Sequence, residues 1–406
     1  MNDKKHDLQK EPTVLELVMS YFKIGLTAYG VAILQQIKAL IIGKKWLSRQ
    51  EVDQGIAMVQ LYPGPIMYNL AIYCAYKIKG FWGSLLGALF FILPSYFLMV
   101  FLSWIYFTYS TVSWVKPLLF AIDAMVVGIV LHITLDFGKR YVNDFKSALI
   151  AGTAFILMLF KVNALWIVLM AVVVKLFIDI LDKGTKNKPE DEKETAVERE
   201  IPGKLKNRLV LIILSGVIFL LILIIGIFVK TTGAQLMTSM AKIGAVAFGS
   251  GFTILPLLQQ EAVISHHWVN MQQFADGIAF GQITPGPILI TSTFIGYKVA
   301  GFWGSAIATF GMFFPSFFYT LVVTEIYEKI KRNRIIRRAI LGVMSGFTGM
   351  LVWVFLSLAK VSLHSLPLYI WAVGSFILVR YLKMNILWIF LLGIAARFLL
   401  FYAGVF

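Results

Sequence analysis

Gln60-Leu61-Tyr62-Pro63-Gly64-Pro65 recurs in the second half of the chain as Gln282-Ile283-Thr284-Pro285-Gly286-Pro287. Each copy interrupts an apolar segment that otherwise reads as helix. A proline there removes a backbone hydrogen bond and collides with the preceding turn, so the helix has to break. Pro65 and Pro287 suit the first turn of a new helix, where the missing N–H has no partner to lose. Gly64 and Gly286 let the backbone come close to a neighbour or a ligand.

Outward from this element the match continues in order. Upstream, Lys23-Ile24-Gly25 and Ala28-Tyr29-Gly30 recur as Lys242-Ile243-Gly244 and Ala247-Phe248-Gly249. Downstream, Tyr76-Lys77 and Gly80-Phe81-Trp82-Gly83-Ser84 recur as Tyr297-Lys298 and Gly301-Phe302-Trp303-Gly304-Ser305, and Pro94-Ser95 as Pro315-Ser316. Such ordered self-similarity marks a duplicated unit. The units are expected at 13–181 and 236–406, separated by a polar linker at 182–208 and an apolar segment at 209–229.

Of 406 residues, 59% are hydrophobic and 14% charged, which fits a lipid environment and not a soluble domain. The net charge of +16 is spread between apolar runs and forms no single patch, so nucleic acid is not an expected partner. Cys74 is the only cysteine, which excludes an intramolecular disulfide; neighbouring His266 and His267 do not make a closed metal shell. No P-loop lysine is present, so neither ATP hydrolysis nor a cofactor is expected. The polar 1–12 segment has no signal-peptide pattern, and the mature chain is expected to begin at Met1.

Apolar runs at 81–107, 117–135, 147–160, 164–180 and 209–229, with 302–326, 340–358, 366–379 and 386–401, are the candidate spans of an all-α, multi-pass membrane protein. Basic residues fall in different loops of the two copies. Lys38, Lys44, Lys45 and Arg49 stand where the second copy has Glu261, His266 and His267. Conversely, Lys329, Lys331, Arg332, Arg334, Arg337 and Arg338 answer only Lys116. Cytoplasmic loops carry the excess of Lys and Arg, so the copies are expected to be inverted, with 209–229 as the odd crossing. On the same rule 14–37 and 52–76 read as broken or re-entrant helices, with full spans as the alternative. The plasma membrane is the expected location.

An oxyanion site is the chemistry these breaks suggest. The N–H groups of Ile66, Met67 and Tyr68 open a helix at Pro65, at the positive end of its dipole, and Pro287 opens a matching one. A plain kink or packing notch is the structural alternative. Gln60 and Gln282 either donate to oxyanion oxygens or satisfy freed carbonyls. Asn69, aligned with Thr291, and Ser292 lie about one turn later. Lys23 and Lys242, each flanked by apolar residues, are either anion partners or snorkelling side chains. Gly30, Gly249 and Gly251 permit a tight backbone path beside them. Asp123, His132 and Asp136 share one helix and make a candidate proton relay. Lys175 and Arg397 read as interfacial anchors.

These motifs resemble the chromate ion transporter (CHR) family in its long two-domain form. The likeness rests on the Gln-led Pro-Gly-Pro element in both halves, the glycine-rich element before it and the Gly296-Tyr297 pattern after it. The first half departs from the family pattern where Gly30 is followed by Val31-Ala32 and where Ala75 replaces glycine. The resemblance implies secondary transport by a non-enzyme. The implied cargo is chromate, moved outward, with sulfate as a similar tetrahedral dianion, driven by an ion gradient or by exchange. The lipid bilayer is the surrounding partner, and a homodimer is compatible. A passive anion channel is the rival reading, and an intramembrane enzyme such as a lipid transferase is a more remote one, because only His132 with Asp136 approaches a catalytic constellation.

Overall fold

The computed structural model describes residues 11–29, 32–109, 115–181, 201–229, 231–249, 251–331 and 333–402. Gly30 and most of the charged linker fall outside them. Fifteen α-helices, with short 3-10 and π segments, make up the regular structure among the described residues. In the first unit these are α1 (Val14–Thr27), α2 (Ala32–Gly43), α3 (Arg49–Met58), α4 (Ile66–Tyr109), α5 (Val115–Tyr141), α6 (Phe145–Leu159) and α7 (Ala164–Leu181). After α8 (Leu205–Val229) the second unit runs α9 (Thr232–Val246), α10 (Ile254–Leu258), α11 (Met271–Ile283) and α12 (Thr291–Ile330). It ends with α13 (Arg334–Ser362), α14 (Leu366–Arg380) and α15 (Ile386–Tyr402).

The first four elements of each unit are helical hairpins. At 1.5 Å per residue the 10 residues of α3 and the 14 of α1 reach about 15 and 21 Å, well short of a hydrocarbon core about 30 Å thick. Each then turns back. Lys44, just past the far end of α2, pairs with Glu16 near the start of α1 at 2.8 Å, so α1 and α2 run back along one another. Tyr73 donates its hydroxyl to the Glu51 carbonyl at 3.2 Å, and a Cβ on Gly55 would stand 2.5 Å from the Tyr73 ring, so α3 and α4 fold together about Pro63-Gly64-Pro65. In the second unit His266 approaches Ser239 at 3.3 Å, and a Cβ on Gly277 would meet the Phe294 ring at 2.7 Å. The segments expected to be broken or re-entrant, 14–37 and 52–76, therefore fold as hairpins.

A further reversal divides the two longest helices. Gly80 adopts φ 63°, ψ −153°, and Gly301 adopts φ 58°, ψ −145° after Ala300 at φ −150°, ψ 36°. Thr293 and Thr309 bring their hydroxyls to 2.6 Å across that point, whereas along a straight helix they would lie about 24 Å apart. A left-handed φ of this kind is open to glycine at little cost, which explains the matched Gly80 and Gly301. Beyond the turn, 81–109 and 302–330 are each long enough to cross a bilayer.

Capping separates the two ends of every hairpin. At the base, Thr13, Ser48, Thr231 and Asn270 each accept a hydrogen bond from the backbone N–H three residues on, at 2.8–3.3 Å. Caps of this type satisfy the orphan donors of a first turn. At the tips Thr253 accepts from the Phe248 N–H at 3.0 Å, and carbonyls of the other unit take the N–H groups of Gly64, Ile66 and Gly286.

The remaining helices wrap this centre. α5 packs on α13 and α14, and α13 packs on α6 and α7. Together with α8, a 25-residue apolar helix reaching about 37 Å, they give a multi-pass membrane protein. Exposed Leu, Ile, Val and Phe side chains cover the outside of α8, the composition a lipid-facing helix requires. Basic side chains mark one end of the bundle. Lys38 pairs with Asp53, Lys79 with Glu11 at 2.9 Å, Arg208 with Glu325 at 2.9 Å, and Lys175 with Asp179 at 2.9 Å.

Candidate functional site

The hairpin tips of the two units meet and are stitched together by backbone hydrogen bonds. Gly64 N–H donates to the carbonyl of Ala247, and Ile66 N–H to Gly249 at 3.2 Å. Reciprocally, Gly286 N–H donates to Ala28 at 3.1 Å, and Tyr29 and Gly286 form a parallel bridge. Each Pro-Gly-Pro loop thus completes the backbone accounting of the glycine-rich break in the opposite unit. Gly64 at φ 132° and Gly286 at φ 98° make the close approach possible.

This pairing consumes the Ile66 N–H that the sequence left free, so the expectation of three open donors after Pro65 is reduced to two. Met67 and Tyr68, and in the second unit Ile288 and Leu289, donate to no acceptor among the described residues. These are first-turn N–H groups, and they project from the helix end toward the junction.

Buried oxygens without partners gather at the same loops. Asn69, Thr284, Thr291 and Ser316 are at most 1% exposed, yet Asn69 Oδ1, Thr284 Oγ1, Thr291 Oγ1 and Ser316 Oγ have no hydrogen-bond partner among the described residues. A buried polar atom left so costs about 1–3 kcal/mol, and a cluster of them marks a place suited to water or a polar ligand. Their positions are tight against the breaks. A Cβ on Gly64 would stand 2.7 Å from both Asn69 Oδ1 and Ser316 Oγ, and one on Gly286 would stand 2.5 Å from Ser95 Oγ. Ser95 donates to the Pro285 carbonyl at 2.6 Å, whereas its counterpart Ser316 has no such partner. Tyr62 donates to Thr320 at 3.0 Å and closes the other side of the first loop.

The residues expected from the sequence divide into three groups. Pro63, Gly64, Pro65, Asn69, Gly249, Pro285, Gly286, Pro287 and Thr291 come together at the junction, and Gly251 packs beside them, its Cβ position within 3.0 Å of Leu289 and Ile288. Gln282 stands one turn away with its amide nitrogen unpartnered, while Gln60 turns outward and gives its amide to the Ile56 carbonyl at 3.1 Å. Lys23 and Lys242 lie on exposed faces of α1 and α9. Each sits two positions, about 200° around the helix, from Gly25 or Gly244. Those glycines press on the Phe91 and Met312 backbones, with Cβ positions 3.0 and 2.9 Å from the carbonyl carbons, so the lysines point away from the core. Gly30 falls outside the described residues.

The three residues of the candidate proton relay have separate surroundings. Asp136 pairs with Arg140 at 3.7 Å, and His132 lies within the field of Arg380, about two and a half turns along α5 from Asp123. Asp123 instead meets Asp276 of α11, their carboxyl groups within hydrogen-bond reach. Both are at most 1% exposed. Tyr106 donates to Asp276 Oδ2 at 2.6 Å, and the Gln272 amide donates to Asp123. Sequence reasoning misses Asp276 because alignment of the two copies pairs it with no acid. An ionisable residue in the apolar run 274–283, one helix before a break, is the signal that points to it.

The family profile described as Chromate transporter matches residues 15–176 and again 234–398. An uncharacterized transporter of Methanocaldococcus jannaschii is 30% identical over 98% of this chain and 96% of its own length. A probable chromate transport protein of Synechococcus elongatus is 30% identical over 91% of each chain. The chromate transport protein of Cupriavidus metallidurans is 28% identical over 87% of this chain and 85% of its own. No solved structure matches the chain. Two profile matches covering both units, with relatives aligned nearly end to end, place this chain in the chromate transporter family, a family of transporters and not of enzymes.

Proposed function

We propose that this protein is a secondary transporter of chromate that binds the dianion where the four hairpin tips meet. The observation that carries the reading is the pairing of unsatisfied first-turn N–H groups, at Met67–Tyr68 and Ile288–Leu289, with the unpartnered hydroxyls of Thr284, Thr291 and Ser316 and the unpartnered amide nitrogen of Gln282. Backbone N–H groups at two opposed helix ends favour negative charge, and hydroxyl and amide groups supply further donors to its oxygens. Sulfate has the same charge and tetrahedral shape and is the natural competitor.

The two units are read as inverted about the bilayer plane. Each unit begins with two hairpins that return to the side they left, and α8 is the single crossing between the units. The basic end of the bundle is then the cytoplasmic one, in the plasma membrane. Rocking of one pair of tips against the other would expose the site alternately, as in other inverted-repeat transporters. Transport is outward on this reading.

Energy comes from a proton held by Asp123 and Asp276. Two buried carboxyl groups in contact cannot both stay ionised without a large cost, so the pair exchanges one proton as its surroundings open and close. Asp276 lies in the helix that leads into Pro285-Gly286-Pro287, which couples that exchange to the substrate loop.

Uptake of labelled chromate and sulfate into vesicles of both orientations, with and without a pH gradient, tests the whole reading. Chromate accumulation in inside-out vesicles, competed by sulfate and abolished in Asp276→Asn when only a pH gradient drives it, is expected. Absence of movement and of competition for both anions would remove the oxyanion assignment. Gradient-driven uptake retained in Asp276→Asn would remove the proton pair alone. Conductance independent of any gradient would favour a channel.

A further inference from the structure

A groove of about 520 Å³ opens on the outer surface between α5, α6, α13 and α14, away from the hairpin tips. Its walls are apolar, formed by Leu135, Phe155 and Val352 among others, and Lys139 and Arg380 stand at its edge. The volume lies within the roughly 300–1,000 Å³ of small-ligand sites. Gly138 and Gly152 leave it open, since a Cβ at either would meet nothing within 4 Å.

The charges at this groove differ from those around it. Arg140 pairs with Asp136, and Lys175 and Arg338 both pair with Asp179. Lys139 and Arg380, each in the last turn of its helix, have no acidic partner among the described residues. Two cations without acids beside an apolar trough on a membrane-facing surface complement one kind of molecule: an amphiphile with an anionic head and a hydrocarbon tail. Basic clusters at the cytoplasmic ends of membrane helices bind anionic lipid head groups through the same combination.

We propose that this groove is a binding site for an anionic phospholipid, with its phosphate between Lys139 and Arg380 and an acyl chain along Leu135, Phe155 and Val352. A free phosphate or oxyanion would use the cations and leave the apolar walls uncovered, which is why the lipid is the occupant. The site is independent of the substrate reading above.

The test uses the full chain, purified in mild detergent with a mixture of phosphatidylglycerol and phosphatidylcholine and followed by native mass spectrometry. Wild type is expected to retain phosphatidylglycerol with a preference of roughly thirtyfold, the increment two basic groups supply at a membrane surface. Lys139→Gln with Arg380→Gln should lower that preference to near unity. Gly152→Leu, which fills the trough from an ordinary helical position, should eject the lipid while both cations remain. Should the double variant fold poorly, Gly152→Leu decides on its own. Equal retention of the two lipids by wild type, or unchanged phosphatidylglycerol retention in Gly152→Leu, overturns the proposal. So does a groove filled by a second copy, seen as a dimer that carries no lipid and is dissociated by Gly152→Leu.

Discussion

Gly64→Ala is the substitution that most directly probes the junction. Gly64 has φ 132°, where an L-residue is strained by about 1–3 kcal/mol. Its new methyl would also stand 2.7 Å from Asn69 Oδ1 and Ser316 Oγ, so both side chains must move out of the gap, an overpacking of about 1–3 kcal/mol. Total destabilisation of roughly 2–6 kcal/mol is expected, read as a lower thermal midpoint in detergent. Gly301→Ala is the control, because Gly301 has φ 58° but nothing within 4 Å of its Cβ position. It carries the backbone strain without the crowding. Initial rates of chromate uptake, corrected for the amount of folded protein, should fall at least about tenfold in Gly64→Ala, a barrier of ~1.4 kcal/mol, and stay near wild type in Gly301→Ala. A Gly64→Ala protein transporting at the wild-type rate per folded molecule would refute the placement of the substrate between Asn69 and Ser316.

Arg208 of α8 ties the segment before that helix to the end of 302–330 through Glu325, which is 8% exposed; Arg208→Gln leaves that carboxylate with only the Tyr76 hydroxyl and should cost about 2 kcal/mol in a denaturation midpoint, with no loss if water already solvates it. Lys23→Gln and Lys242→Gln, changing outward-facing side chains, should alter chromate affinity by less than about twofold in equilibrium binding, since charge outside the junction screens readily; a large loss in both would return them to the site. Asp144 caps α6 by accepting from Ser147 N–H at 2.7 Å, and hydrogen bonds from the Ser147 side chain and backbone hold its carboxyl below the usual range. A depressed value means its stabilisation is complete above the unfolded pKa of about 3.9 and is lost as pH falls through the folded value. Asp144→Ala should therefore cost roughly 0.5–1 kcal/mol at neutral pH, because the cap is exposed, and the difference from wild type should vanish in acid.

Much of the fold is written in local residue choices. Pro63-Gly64-Pro65 and Pro285-Gly286-Pro287, two prolines about a glycine, interrupt their helices where the single Pro94 and Pro315 are carried inside α4 and α12, and the polar caps Ser48 and Asn270 start helices by satisfying donors three residues away. Apolar runs longer than a bilayer is thick identify spans such as α8 in the same way. Both copies of the proline and cap signals lie within the two stretches, 15–176 and 234–398, that match the same family profile.

Other features depend on which copy meets which. The Pro65 helix end reads as open from sequence, yet Ile66 N–H is taken by Gly249, a residue of the other unit. Lys23 and Lys242 read as intramembrane by their neighbours, but Gly25 and Gly244 turn the opposite helix face inward and send them outside. Asp123 shares one helix with His132 and Asp136, and the packing of α5 against α11 gives it Asp276 as a neighbour instead. Sequence alone determined the breaks at Pro63-Gly64-Pro65 and Pro285-Gly286-Pro287, because proline acts on its own peptide bond, whereas the turns at Gly80 and Gly301 emerge only in the tertiary structure. The tertiary structure decided what fills each break, because an unpaired N–H or a buried carboxyl is satisfied by whichever group packing brings within about 3 Å, and that group lies some two hundred residues away in the chain.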